Sequence, residues 1–177
     1  MARWFRKGLS PHHTAIAMVG PKSGDRIVVV GAIDPDLAAG IALVTGLNGS
    51  TTVCDSDPAA RERVDAAAAR AGALVEFQEA PGPSLPIDDA SHDVVVLHAS
   101  ATPDTARLNL GEPLRVLRPG GRIVIIDGVR AAGLFKSRNA PSRRAKDDVL
   151  RALDEAGTRG RRQLADVDGV AYYEARK

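Results

Sequence analysis

Five short apolar runs separated by helix-like segments constrain this chain more than any other feature. They are RIVVVGA (26–32), STTVCD (50–55), ALVEFQ (73–78), HDVVVLHA (92–99) and GRIVIID (121–127). Several are apolar without alternation, as strands covered on both faces must be. Strand and helix signals that alternate along a chain build βαβ units, so the runs predict a parallel sheet with helices on both sides. The helix signals are specific. Asp34-Pro35 reads as an N-cap followed by the first helical position. Asp57-Pro58 repeats the device and opens an alanine-rich segment that ends at Gly72, a residue suited to the left-handed C′ position. Asp104 can cap a segment running to Val116, weakened by Gly111 and Pro113. Pro141 or Ser142 opens a further helix with one apolar face that ends at Gly157.

The C-terminal stretch departs from this pattern. Asp168-Gly169 stands between two strand-like runs, and Asp-Gly in that setting signals a hairpin. The fold class expected is therefore α/β: a Rossmann-like, doubly wound, seven-stranded sheet of five parallel strands and a C-terminal antiparallel hairpin.

Composition bounds the function. A length of 177 residues suits one domain with a real core. A formal net charge of +2 is too small to argue for nucleic acid, and 3% aromatics argue against stacking on single strands. One cysteine excludes an internal disulfide and suits a reducing compartment, so a cytoplasmic location is expected. No apolar run reaches the ~20 residues of a membrane span, and MARWFRKGLSPHH lacks the apolar core of a secretory signal. Stable membrane insertion is not expected.

Two phrases narrow the fold to a family. Leu85-Pro86-Ile87-Asp88-Asp89-Ala90-Ser91-His92-Asp93 enters the fourth run, and Glu112 followed by Arg115-Val116-Leu117-Arg118-Pro119-Gly120-Gly121 leads into the fifth. Together they resemble the class I S-adenosylmethionine-dependent methyltransferases, in particular the small type 11 group that includes quinone-biosynthesis enzymes. Those carry LPFPDxSFDxV and ExxRVLRPGG at the same places. His92 stands where the family usually has phenylalanine, and its expected role is packing. The resemblance covers residues 20 to 177, with residues 1–20 as an N-terminal cap segment and 21–177 as the methyltransferase-like domain.

The resemblance implies a cofactor site at the carboxyl ends of the strands, where strand order reverses. Asp55, in TTVCDSDP, matches the acid that accepts hydrogen bonds from the ribose hydroxyls. It lies 24 positions after Gly31, close to the ~20 expected in a nucleotide fold. Ser56 follows it, and Glu79-Ala80 stands where the family has a triplet near the adenine. The first loop has drifted. Against D-x-G-x-G-x-G the chain reads Val29, Val30, Gly31, Ala32, Ile33, Asp34, Pro35. Only Gly31 remains, with Ala32 and Asp34 as further candidate contacts. Asp34 and Asp36 disfavour a pyrophosphate at the helix start and suit a cationic cofactor. S-adenosylmethionine is the cofactor expected, and the altered loop leaves three outcomes, binding retained, weakened or lost, of which the persistence of Asp55 and the later phrases favours the first two.

Methyl transfer from a sulfonium needs alignment, and a base only where the acceptor must lose a proton. His98, at the end of the fourth run, is the candidate base and a further cofactor contact; its competing reading is a strand-end histidine bonded to backbone. No spacing with metal-ligand character is present. His12 and His13 read as solvated, and Trp4 and Phe5 as packed on the domain. Arg130, Lys136, Arg138, Arg143, Arg144 and Lys146 read as a solvated basic stretch that could also take an anionic acceptor. The leading expectation is methylation of a small-molecule acceptor, without nucleic acid. The alternative is a catalytically inactive methyltransferase-like domain that binds a partner. A homodimer or an active homologue is the protein partner these readings allow.

Overall fold

The computed structural model describes residues 11–101, 108–128 and 143–177. Its elements are α1 (Pro11–Val19), β1 (Arg26–Val30), α2 (Pro35–Thr45), β2 (Ser50–Asp55), α3 (Ala60–Ala71), β3 (Glu76–Glu79), β4 (His92–His98), α4 (Gly111–Val116), β5 (Leu117–Asp127), α5 (Lys146–Glu155), β6 (Arg159–Val167) and β7 (Val170–Arg176). One seven-stranded sheet has the order β3-β2-β1-β4-β5-β7-β6. β1 to β5 run parallel, and β7 joins β5 antiparallel. The expected architecture is the observed one. Two apolar layers flank the sheet: Val29, Val96 and Val124 face α1 and α2, while Leu97, Ile123 and Ile125 face α4 and α5.

Local signals act as the sequence suggests at most ends. The Asp34 carboxylate accepts from the Leu37 N–H at 3.0 Å, and Pro35 occupies the first turn of α2. Gly72 takes φ 68° after α3. Asp168 and Gly169 both take positive φ, 52° and 83°, as a type I′ turn requires. Elsewhere the boundaries shift. β3 begins at Glu76 rather than Ala73, because the Ala73 N–H still bonds back to the Ala68 carbonyl in the α3 cap. α3 starts at Ala60, and Asp57 caps only the preceding turn, accepting from the Ala59 N–H at 3.0 Å. α4 is a short helix from Gly111, and the Asp104 cap lies outside the described residues; α5 begins at Lys146, later than the start expected at Pro141 or Ser142, because the backbone at Ala145 is still extended. β5 begins at Leu117, not Gly121: Leu117 pairs with His92, the register is interrupted, and pairing resumes at Arg122 opposite Val94.

The unforeseen element is α1, whose sequence has weak helix propensity. Packing makes it. Ile16 seats over Gly40 of α2 so closely that a Cβ there would lie 2.5 Å from its Cδ1. At the other end the Arg122 guanidinium donates to the Val19 and Gly20 carbonyls, completing the helix C-terminus. Ala15 and Val19 are buried in the core.

The two family-like phrases bind each other. Arg115, on α4, donates from Nη1 to the Ile87 carbonyl at 2.9 Å and from Nη2 to the Leu85 carbonyl at 3.0 Å. It also pairs with Asp89 and with Glu112, whose Oε2 accepts from Arg115 Nη2 at 2.7 Å and from the Leu85 N–H at 2.8 Å. The Ala90 and Ser91 N–H groups close the clasp on the Arg115 and Val116 carbonyls. A planar fork meets several fixed acceptors here, which a lysine cannot reproduce. Arg115→Lys should therefore destabilise the fold, and Arg115→Ala should do so by on the order of 1–3 kcal/mol as part-buried carbonyls lose their donors. Urea melts of the two variants beside the parent check this; midpoints unchanged in both would remove the clasp from the account.

Candidate functional site

A cleft of about 640 Å³ opens at the carboxyl ends of β1, β2 and β4. This is where the strand order reverses, because β1 lies between β2 and β4. Its floor is built by β1 and β2. Gly31 leaves β1 with φ 93°, a conformation glycine takes freely, and donates its N–H to the Cys54 carbonyl at 2.8 Å. Asp55 ends β2. Its Oδ2 accepts from the Ala32 N–H at 2.6 Å and its Oδ1 from the Asp57 N–H at 2.8 Å. One carboxylate thus ties the first loop to the start of the next turn. A carboxylate offers about four acceptor sites, so roughly two remain for a ligand.

Of the residues singled out from sequence, Gly31, Asp55, Ser56 and Ala80 line the cleft together. Ala32 is buried, with its side chain in the core beneath α2 and its N–H on Asp55. Asp34 turns to the helix and to α1: besides capping α2 it meets His12 Nδ1 at 2.8 Å. Glu79 is exposed beside Asp55 in the sheet register but outside the lining. Ile33, which replaces a family glycine, is 41% exposed and forms part of the wall.

His98 is buried, and its Nε2 has no hydrogen-bond partner among the described residues. By strand alternation it shares the face of Val96, toward α1 and α2, while Leu97 faces the cleft. Burial pushes its pKa down to about 4, against smaller opposing effects of the Asp34 and Asp55 charges. It is a neutral imidazole at physiological pH. His92 is buried as a packing residue, with Nδ1 2.8 Å from the Ser91 hydroxyl, and burial lowers its pKa also. Cys54 lines the cleft, but burial and the adjacent Asp55 charge push its thiol up to about 12. It stays protonated and is a wall, not a nucleophile.

Sequence reasoning missed the far wall. Leu85, Pro113 and Glu112 line it, and the Arg115 clasp holds them there. The signal was present: Glu112 and Arg115 are three residues apart, the spacing that places them on one helix face. His13 is exposed, as expected, but His12 is not simply solvated. His12, Asp34 and Asp36 bring ligand atoms within 4.8 Å of one another. Asp36 pairs with Arg70 at 2.8 Å, and the group is explained by the start of α2. Trp4, Phe5, Arg130, Lys136 and Arg138 lie outside the described residues. Arg144 is a partner of the buried Asp127, its N–H 2.8 Å from Oδ2, and Arg143 pairs with Asp166 at 2.6 Å, so these two are structural; Lys146 is exposed at the start of α5.

A family model described as a methyltransferase domain matches residues 36–125. The chain belongs to the class I S-adenosylmethionine-dependent methyltransferase family. The match begins just after the altered loop, so membership rests on the sheet, the Asp55 turn and the two clasped phrases. Curated relatives of this methyltransferase domain include uncharacterized proteins of Mycobacterium tuberculosis and Mycobacterium bovis, each 31% identical over 167 residues. The alignment covers 91% of this chain and 57% of theirs; the chain spans little more than half the length of those relatives. Among solved structures, a SAM-dependent methyltransferase from Aquifex aeolicus superposes with a TM-score of 0.73 at 18% identity, covering 94% of this chain and 89% of that one. An O-methyltransferase from Thermotoga maritima gives 0.71 at 15% identity, covering 94% and 64%. At those identities the likeness is one of fold. No helix among the described residues of the domain is long and apolar enough to cross a membrane.

His98 supplies a pH test of this geometry. Its folded pKa lies below the ordinary histidine value, so the unfolded chain binds more protons between about pH 6.5 and 4. Its contribution to stability is complete above about pH 6.5 and is lost as pH falls toward 4. Replacement by leucine should flatten the acid limb by up to ~1.4 kcal/mol per pH unit in that window. Denaturant melts across pH 4–7 measure it, and parallel limbs for parent and His98→Leu would place His98 in water.

Proposed function

We propose that the chain binds S-adenosylmethionine in this cleft and transfers its methyl group to a small-molecule acceptor. The observation that carries the reading is the charge of the wall. The described lining holds the Asp55 carboxylate, without a cationic partner among the described residues, and that of Glu112, which is paired with Arg115 behind the wall, and no lysine or arginine. Such a site suits a cation and repels a phosphate-bearing dinucleotide. Bound there, the cofactor would supply an electrophilic methyl group on a sulfonium. The residues present fit it. Asp55 keeps free acceptor sites for two vicinal hydroxyls, Ser56 adds a hydroxyl, and Ile33, Ala80 and Leu97 give apolar surface for a base. Gly31 lets the backbone pass close beneath. Ala32 and Asp34 support the site from outside its wall, Ala32 through its N–H on Asp55 and Asp34 through the start of α2, while Glu79 stands beside Asp55 at the end of β3 as a further candidate contact.

The chain's own chemistry is positioning. The Asp55 brace holds the first loop, and the Arg115 clasp holds the opposite wall, so donor and acceptor meet in a fixed frame. For an acceptor that must lose a proton, His98 is the base proposed, being neutral and with no partner on Nε2 among the described residues; it stands at the end of β4 outside the cleft lining, so the acceptor would have to reach it past Leu97. The family relationship supports a small acceptor, and the absence of cations from the described lining argues against a polyanionic one.

Calorimetric titration with S-adenosylhomocysteine tests the reading. Asp55→Ala should weaken binding by on the order of 1–3 kcal/mol, since ligand hydroxyls would lose a charged acceptor. Circular dichroism establishes that the variant folds. Equal isotherms for parent and variant would take Asp55 out of the site. A parent that gives no heat at millimolar ligand while folded would favour the alternative, a methyltransferase-like domain that serves as a binding partner.

A further inference from the structure

The opposite end of the sheet carries a second, differently charged cavity. It has a volume of about 290 Å³ and lies at the amino ends of β4 and β5, beside the end of β7. Lys22, Arg118, Arg122, Arg162 and Arg176 line it, against Asp25, Asp93 and Glu174. The carboxylates are already engaged. Asp93 accepts from the Arg26 N–H at 2.7 Å and pairs with Arg118 at 2.7 Å. Glu174 lies between Arg122, at 3.1 Å, and Arg162, at 2.6 Å. Burial alone would raise the Glu174 pKa, but the two guanidinium groups outweigh it and the net shift is downward. Asp25 accepts from the Lys22 N–H at 2.9 Å.

The cations are in surplus, and their arrangement is ordered. Arg176 is in register with Arg122 on β5 and with Arg159 on β6, so three arginines stand in one row across three neighbouring strands. Like charges directly opposite on adjacent strands repel. Glu174 relieves Arg122 and Arg162, but Arg176 and Lys22 have no carboxylate partner among the described residues, and both are exposed. Arg118 and Arg162 are paired yet 61% and 69% exposed, leaving N–H groups open to solvent. Guanidinium forks of this kind match the oxygens of a phosphoryl group in pairs.

We propose that this cavity is a binding site for a small phosphate-bearing anion of about the size of pyrophosphate, held by Arg118, Arg162, Arg176 and Lys22. It is separate from the cofactor cleft, which lies at the carboxyl ends of the strands and has no cation in its described lining. Its size favours a small ligand over a polymer: a nucleic acid would need a basic track, whereas Asp25, Asp93 and Glu174 bound this cavity.

Inorganic pyrophosphate is the probe. It is titrated into the full chain at constant ionic strength, with chloride as the reference salt, and followed by thermal melting and by the arginine Hε resonances. Saturable stabilisation is expected, with shifts confined to the arginines of the cavity. The double variant Arg118→Gln with Arg176→Gln should lose at least tenfold in affinity. Arg63→Gln with Arg70→Gln, which removes equal charge from α3, should bind as the parent does. A linear, unsaturable response, or equal losses in both double variants, would reduce the effect to general screening and overturn the proposal. So would tight binding of a single-stranded oligonucleotide with none of pyrophosphate. If the first double variant does not fold, Lys22→Gln alone, on an exposed side chain, carries the test, with a measurable loss expected and an unchanged isotherm decisive against the site.

Discussion

The Asp55 carboxylate is the contact on which the cleft depends. Two neighbouring segments leave the sheet there, one after β1 and one after β2, and each brings a backbone N–H to it. A charged acceptor that receives two amide hydrogens fixes both loops without any side-chain packing between them. It also explains how a first loop that retains only one glycine keeps its path. Gly31 supplies the single positive φ, and Asp55 holds Ala32 immediately after it. The remaining substitutions then fall where they do least harm. Ile33 extends along the wall, and Pro35 enters the helix where its missing N–H is not needed.

The opposite wall obeys a similar logic with the charges exchanged. Arg115 is a cation serving carbonyls and carboxylates of the segment before β4, and Glu112 locks the guanidinium from its own helix. Two phrases that are apart in sequence but enter neighbouring strands, where His92 pairs with Leu117, become one rigid edge. The helix α1 adds a third restraint, since its two ends are tied to different parts of the sheet: His12 to Asp34 above the first loop, and Val19 and Gly20 to Arg122 at the amino end of β5. Arg122 also contacts Glu174, so α1, the cavity at the amino ends of the strands and the hairpin share one ionic network.

Sequence legibility followed the range of the interactions. Apolar runs set by burial on both faces located the five parallel strands, and turns set by local conformation, at Asp34-Pro35, Gly72 and Asp168-Gly169, were legible from the residues alone, the last of them marking the two strands of the hairpin. Boundaries decided by partners far along the chain were not. β5 begins at Leu117 because His92 is there to pair with it. α1 exists because Gly40 leaves room for Ile16 and Arg122 completes its end. At the site, Asp55 and Ala80 were legible from strand order and motif position. The side to which His98 turns was not, because it depends on which layer of the sheet each alternate residue meets. The role of Glu112 was hidden because the motif reads as a helix end, and its N–H partner, Leu85, lies 27 residues away.

The central claim is that this cleft still receives the cofactor in spite of its altered loop. A crystal structure of the chain grown with S-adenosylhomocysteine addresses it most directly. The account predicts the nucleoside between Gly31 and Ala80, both ribose hydroxyls on the Asp55 carboxylate, the Ala32 N–H still on Oδ2, and Ile33 against the ligand. Well-ordered crystals with the cleft filled by Ile33 and solvent, or with the ligand bound away from Asp55, would contradict it.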